Sequence, residues 1–204
     1  MSVFICQEDM NKAFFIDRDG IIVEMVYDLE NGTITTPLKP KNVSLVYGIG
    51  ELLYFTKKLG FLNILISNQP NIGLKRISEK NFRTVQRKIL QELKKEGIVL
   101  DGEYYCFHHP HAKIKKYAVN CNCRKPKPGL LLQAAKDNNI DLKKSFMLGD
   151  GVNDVIAGNK SGCKTILFAN LLEAEYLRLI EKQLKGIKPD YIIKKLTEAI
   201  KILK

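Results

Sequence analysis

No run of about eighteen apolar residues occurs in this sequence, so it offers no membrane-spanning helix. Its first residues, Met1 to Asp9, lack a basic segment ahead of an apolar core, which argues against a secretory leader. Repeats, low-complexity tracts and interdomain linkers are missing too. With 204 residues and 45% apolar content, residues 1–204 are expected to fold as a single domain around one core. The five cysteines are odd in number, which fits a disulfide framework poorly and a cytoplasmic location well. Cys6 and Cys163 stand alone among apolar neighbours and read as small core residues. Acids are scarce: 22 Asp and Glu face 33 Lys and Arg, for a net charge of +11. The excess is scattered over most expected helices, and no basic tract interleaved with aromatics occurs. It reads as a lysine-rich solvated surface, with no specific nucleic-acid partner.

What is present is organised around Phe14-Phe15-Ile16-Asp17-Arg18-Asp19-Gly20. Three β-prone apolar residues read as a buried strand. Two carboxylates spaced by one residue follow, and then a glycine that lets the chain turn. At strand spacing Asp17 and Asp19 point the same way, and like charges that close are costly unless a cation neutralises them.

Downstream, Ile21 to Tyr27 reads as an extended flap over these acids. Asn31-Gly32 signals a hairpin turn within the polar stretch Asp28 to Pro40. A helix is expected from Gly48 to Gly60, a buried strand from Phe61 to Ile66, and a long helix capped by Ser78 that runs to about Glu96. Tyr104 to Phe107 reads as a third strand, and Pro128 opens a helix through Leu130, Leu131 and Leu132. A fourth strand ends on Gly149-Asp150, a helix follows to Gly162, and Lys164 to Phe168 is a fifth strand. A helix from Leu171 to Leu184, a short strand Tyr191 to Ile193 and a terminal helix close the chain. Alternating strands and helices indicate an α/β fold, a parallel sheet covered by helices on both faces. Ligands in such sheets bind beyond the carboxyl ends of the strands, where Asp17, Asp19, Ser67 and Asp150 all fall.

Asp17, Asp150 and Asp154, one helical turn on, form a hard oxygen set suited to Mg²⁺. Ser67 offers a hydroxyl for a phosphate oxygen, and equally suits a turn or cap. Lys125, in Arg124-Lys125-Pro126-Lys127-Pro128-Gly129, is able to neutralise a phosphoryl group, and equally suits a surface. Cys106, Cys121 and Cys123 with an imidazole make a Cys₃His zinc set; His108, His109 and His111 all compete for the fourth place.

In this order, Asp17-Arg18-Asp19-Gly20, Ser67, Lys125 and Gly149-Asp150 with Asp154 resemble the four motifs of the haloacid dehalogenase superfamily of phosphotransferases. The resemblance implies a Rossmann-like domain without a cap. It casts Asp17 as the nucleophile and Asp19 as acid and then base. Mg²⁺ is then held by the carboxylates of Asp17 and Asp150 and the backbone carbonyl of Asp19, with Asp154 in the outer shell. Ser67 and Lys125 hold the transferring phosphoryl group, while Asn68 and Arg124 contact substrate. The stretch from Tyr105 to Gly129 is similar to the zinc loop of the heptose-bisphosphate and histidinol-phosphate phosphatase subfamily. That resemblance favours Cys106, His108, Cys121 and Cys123 as ligands of a structural Zn²⁺ in a loop spanning residues 106–123. It implies a monomeric, cytoplasmic, Mg²⁺-dependent phosphomonoester hydrolase for a small phosphorylated metabolite, foremost D-glycero-D-manno-heptose 1,7-bisphosphate. Histidinol phosphate, a nucleic-acid 3′-phosphate and a catalytically silent binding module are the alternatives. Departures from the family pattern fall on loops: Ile21 where threonine is common, Pro70-Asn71-Ile72 for Ser-Gly-Ile, and a longer Asp28 to Pro40 segment.

Overall fold

The computed structural model describes residues 10–29, 32–169 and 174–204. Cys6, Asn31 of the expected turn and the first residues of the helix expected from Leu171 lie outside them. Six parallel strands form the central sheet: β1 (Lys12–Ile16), β4 (Phe61–Asn68), β5 (Gly102–Cys106), β6 (Phe146–Gly149), β7 (Lys164–Phe168) and β8 (Tyr191–Ile193). Their order is β5-β4-β1-β6-β7-β8. A separate antiparallel hairpin pairs β2 (Val26–Asp28) with β3 (Thr33–Thr35).

The side-chain alternation of β1 divides the core. Phe14 and Ile16 point to one face, where α1 (Ile49–Lys58), α2 (Glu79–Lys95) and α6 (Ala199–Leu203) pack. Ala13 and Phe15 point to the other face, which α3 (Gly129–Asp137) and α4 (Val152–Ser161) cover. The described end of α5 (Ala174–Leu184) packs against α4 and β7 through Ile180 and Leu184. Helix ends follow their chemistry: the Ser78 hydroxyl accepts from the Asn81 amide at 3.1 Å, and Gly60, Gly97 and Gly162 leave α1, α2 and α4 at positive φ.

One expectation needs correction. Ile21, Ile22 and Val23 are not a flap; all three are fully buried in the core beneath α1. Gly20, at φ +80°, turns the chain back so that its amide donates to Val23 O at 2.8 Å. The projecting piece is the β2–β3 hairpin instead, with Tyr27 and Ile34 exposed. Leu132 is likewise exposed, because three consecutive leucines span more of a helix than the face of α3 that meets the sheet.

The chain runs from β1 outward to β4 and β5, then returns to place β6 on the other side of β1. The reversal makes a crevice between the carboxyl ends of β1 and β6. No described helix is long and apolar enough to cross a membrane.

Candidate active site

Asp17 and Asp150 leave β1 and β6 at that crevice, and Asp154 rises from the first turn of α4. Carboxylate oxygens from these three lie within 4.8 Å of one another. The approach depends on missing side chains. A Cβ on Gly20 would stand 2.2 Å from Asp150 Oδ2, and one on Gly149 would stand 2.3 Å from the Asp154 side chain. Asp154 also accepts the Gly151 amide through Oδ2 at 3.2 Å, which ties the helix start to the site.

Lys125 enters this cluster from below, with its side chain only 2% exposed. Its ammonium lies 2.9 Å from Asp17 Oδ1 and 2.5 Å from Asp154 Oδ1, and it donates to Ile66 O at 2.8 Å. Burial opposes that charge, but the two carboxylates outweigh it, and the ammonium is held charged well above its usual range. The acids respond the other way. Burial first, then Asp154 and Asp19, push Asp17 up to about 6, although Lys125 pulls against the rise. Asp150 keeps an edge open to solvent, yet the protein packed around it and the charges of Asp17 and Asp154 push it up to about 8. Crowded carboxylates that resist ionising are what a site for a divalent cation looks like without its cation, and all-oxygen donors fit Mg²⁺.

Asp19 is turned differently. Its carboxylate receives Arg18 Nε at 3.0 Å and Arg18 NH2 at 2.9 Å, the Gln69 amide at 2.7 Å and the Thr36 hydroxyl. Gln69 also donates to Ser67 Oγ at 3.0 Å, so it links the two residues. Neither Thr36 nor Gln69 carries a sequence signal of its own. Asn68, expected at the substrate, bonds the main chain of Lys125. Its amide accepts from Lys125 N and donates to Lys125 O, both at 3.0 Å, and so pins the main chain that aims the lysine.

The cysteines meet beside this centre. Cys106 Sγ lies 3.6 Å from Cys121 Sγ and 3.2 Å from Cys123 Sγ, and His108 Nδ1 lies 3.2 Å from Cys123 Sγ. A tetrahedral zinc with ordinary bond lengths needs ligand atoms roughly 3.5–3.8 Å apart, so the set fits with little movement. His108 is the imidazole among the sulfurs; His109 and His111 instead face each other outside. Burial pushes the Cys106 thiol up, and burial with its two neighbouring thiols pushes Cys123 up. Burial acts on Cys121 too, but its hydrogen bonds prevail and bring it down. The loop between the ligand pairs is anchored by Lys113 N to Gly73 O at 2.8 Å, and Arg124 donates to His108 O at 3.2 Å. A cleft of about 540 Å³ has Lys39, Lys75, Arg76, Lys116 and Glu79 in its walls. The hairpin's downstream segment, the loop after β4 and the loop of residues 106–123 meet there.

The chain is similar to known proteins in sequence and in fold. A haloacid dehalogenase hydrolase-like family model matches residues 122–199. The D-glycero-β-D-manno-heptose-1,7-bisphosphate 7-phosphatase of Helicobacter pylori J99 is 39% identical over 178 residues, covering 86% of this chain and 94% of its own length. The enzyme of that name from Pasteurella multocida is 39% identical over 155 residues, covering 76% and 79%. Among solved structures, the D,D-heptose 1,7-bisphosphate phosphatase of B. bronchiseptica, complexed with magnesium and phosphate, superposes with a TM-score of 0.73 at 23% identity, covering 94% of this chain and 97% of that one. A HAD-like phosphatase from Mesorhizobium loti reaches 0.76 at 22% identity, with 95% and 86% covered. These two likenesses establish the fold.

Proposed function

Because the chain belongs to the D-glycero-β-D-manno-heptose-1,7-bisphosphate 7-phosphatase family of haloacid dehalogenase-like hydrolases, we propose that it removes the 7-phosphate of that sugar through an acyl phosphate on Asp17. The observation that carries the reading is the Asp17 carboxylate at the sheet's crevice, ion-paired to buried Lys125 and crowded by Asp150 and Asp154.

A carboxylate is a competent nucleophile without a partner base. An Asp17 oxygen attacks phosphorus, and the bond from phosphorus to the sugar oxygen breaks. Asp19 gives that oxygen its proton, then takes one from the water that cleaves the Asp17 acyl phosphate. Lys125 lies where it neutralises charge on the transferring group, and the buried Ser67 hydroxyl fixes one of that group's oxygens. Asp17 and Asp150, with the backbone carbonyl of Asp19, hold Mg²⁺, and Asp154 supports it from the outer shell. The bound cation supplies positive charge that lets a carboxylate approach an anionic phosphate.

Cys106, His108, Cys121 and Cys123 hold a structural Zn²⁺ with no open position. Its work is to order the loop that carries Arg124 and Lys125. Reduced thiols at all three cysteines suit the cytoplasm. Arg124 meets the second phosphate of the substrate, and the cleft walled by Lys39, Lys75, Arg76 and Lys116 favours an anionic far end. The protein acts as a monomer on this small metabolite.

The test is phosphate release in Mg²⁺ from heptose 1,7-bisphosphate and from histidinol phosphate, side by side. Faster turnover of the bisphosphate is expected. Faster turnover of histidinol phosphate would discard the substrate and keep the chemistry, whereas inertness towards both would overturn the reading.

A further inference from the structure

Asp19 is held by side chains from three separate parts of the chain. Arg18, 1% exposed, grips it through Nε and NH2 while its guanidinium lies over the Phe82 ring at 5.4 Å from the centroid. Gln69 reaches it from just beyond β4, where its main-chain N–H donates to Cys106 O at 2.7 Å and holds the residue in place. Thr36 comes from neither β1 nor β4. It follows directly on β3 and is the contact that the projecting hairpin makes with Asp19 among the described residues.

Its hydroxyl is used twice. Arg18 NH2 donates to Thr36 Oγ1 at 2.7 Å, which leaves the hydroxyl proton to point at Asp19 Oδ1. The side chain is buried, so its hydroxyl meets Asp19 as part of the packed wall and not as a solvated surface group. Arg18 reaches both Asp19 oxygens and Gln69 reaches Oδ2; Thr36 adds a donor to Oδ1 from a third part of the chain.

We propose that Thr36 is a positioning residue that aims the Asp19 carboxyl at the leaving oxygen, so that the β2–β3 excursion sets the efficiency of proton transfer. This rests on the phosphatase reading above. In the step concerned, the bond between an Asp17 oxygen and phosphorus forms, the bond between phosphorus and the sugar oxygen breaks, and the proton on Asp19 passes to that oxygen. A misaimed Asp19 leaves the sugar to depart as an alkoxide. A nitrophenolate departs without a proton, so a nitrophenyl ester is much less sensitive to the aim of the acid.

The experiment compares kcat/KM for heptose 1,7-bisphosphate and for 4-nitrophenyl phosphate, in Mg²⁺, across the wild type, Thr36→Val and Thr36→Ser. General acid catalysis contributes about 10²–10⁴-fold, and losing one of several aiming contacts forfeits part of it, about 10-fold or more on the sugar ester. Thr36→Val should therefore lose at least that factor in kcat/KM on the sugar ester and several-fold less on the nitrophenyl ester, since kcat/KM reports the first phosphoryl transfer and not the later attack of water that both esters share. Thr36→Ser, which keeps the hydroxyl, should recover most of the loss. Should valine disturb the buried wall, Thr36→Ala removes the same hydroxyl without adding bulk and carries the same expectation. Equal losses on both esters, no loss on the sugar ester, or unfolding of both the valine and alanine variants would overturn the proposal. A wild type inert to both esters would fail the phosphatase reading itself and take this proposal with it.

Discussion

Replacing Lys125 by methionine removes a charge from the bottom of the site while keeping the length of the side chain. In the native protein that ammonium stands 2.9 Å from Asp17 and 2.5 Å from Asp154, with 2% of the side chain exposed. Breaking a buried ion pair by deleting one partner costs about 3–5 kcal/mol, because the other charge stays behind unpaired. Here the charges left behind are carboxylates, and they can escape the cost by taking up protons. Asp17 already sits at about 6 with Lys125 present, against an ordinary value of 3.8, and the lysine is the influence that lowers it. Without the lysine it rises further.

The sign follows from proton uptake. A carboxyl raised in the fold binds more protons there than in the unfolded chain, so stability falls with rising pH between the two values. For the wild type Asp17 that window closes near pH 6; for Lys125→Met it extends upward. The variant should match the wild type closely at pH 5 and fall behind it at pH 8. A loss of about 3 kcal/mol in a chain of this size lowers the melting temperature by about 6–12 °C. Thermal melts by circular dichroism, without added Mg²⁺ and without a chelator that would strip zinc, measure the difference. Adding Mg²⁺ at pH 8 should restore more stability to the variant than to the wild type, because the cation replaces the missing charge. Turnover should stay down by about 10²–10³-fold, the usual cost of losing a donor aimed at transition-state charge. A variant as stable as the wild type at pH 8, or destabilised equally at both pH values, would refute the electrostatic account of Lys125.

Other expectations are simpler to state. Asp17→Asn should abolish Mg²⁺-dependent phosphate release and, by removing one crowded acid, raise the melting temperature at pH 8 without Mg²⁺. Beryllofluoride should protect the wild type against melting and leave that variant unchanged. Elemental analysis should find about one zinc per chain, and Cys123→Ser should lower it and speed hydrogen exchange across the loop of residues 106–123. Arg124→Ala should erase most of the preference for a sugar bisphosphate over its monophosphate, about 10–100-fold in kcat/KM for a lost charge-assisted contact, with a smaller change on 4-nitrophenyl phosphate.

The parts of this site that could be read from the sequence are those whose signals are local. A strand ending in a carboxylate and a glycine occurs at Phe14 to Gly20, and the end of β6 pairs the two in the reverse order, Gly149-Asp150; each motif places its acid at the crevice without help from distant residues. That Cys106, Cys121 and Cys123 gather was legible from spacing alone. The imidazole was not, since His108, His109 and His111 differ only in which ring nitrogen the folded loop brings among the sulfurs. The burial of Ile21 to Val23 was misread because a short apolar run records hydrophobicity and not direction. The direction comes from the turn at Gly20, where the close approach of Asp150 allows no side chain.

What escaped entirely is how the reacting groups are held in place. Thr36 meets Asp19 across 17 residues of chain and Gln69 meets it across 50, while Asn68 holds Lys125 across 57. Each of these residues reads locally as a loop or turn polar group, and each becomes a constraint only when β4, the hairpin and the zinc loop converge on one edge of the sheet. Reaction type depends on which functional groups reach the crevice, and strand-end motifs deliver those. Rate depends on holding each group within a fraction of an ångström and a few tens of degrees of its working geometry. That tolerance is set by buried polar contacts between segments remote in sequence. A variant series on Thr36, Gln69 and Asn68 should therefore lower kcat with little change in which esters are accepted, whereas changes on the walls of the basic cleft should do the reverse.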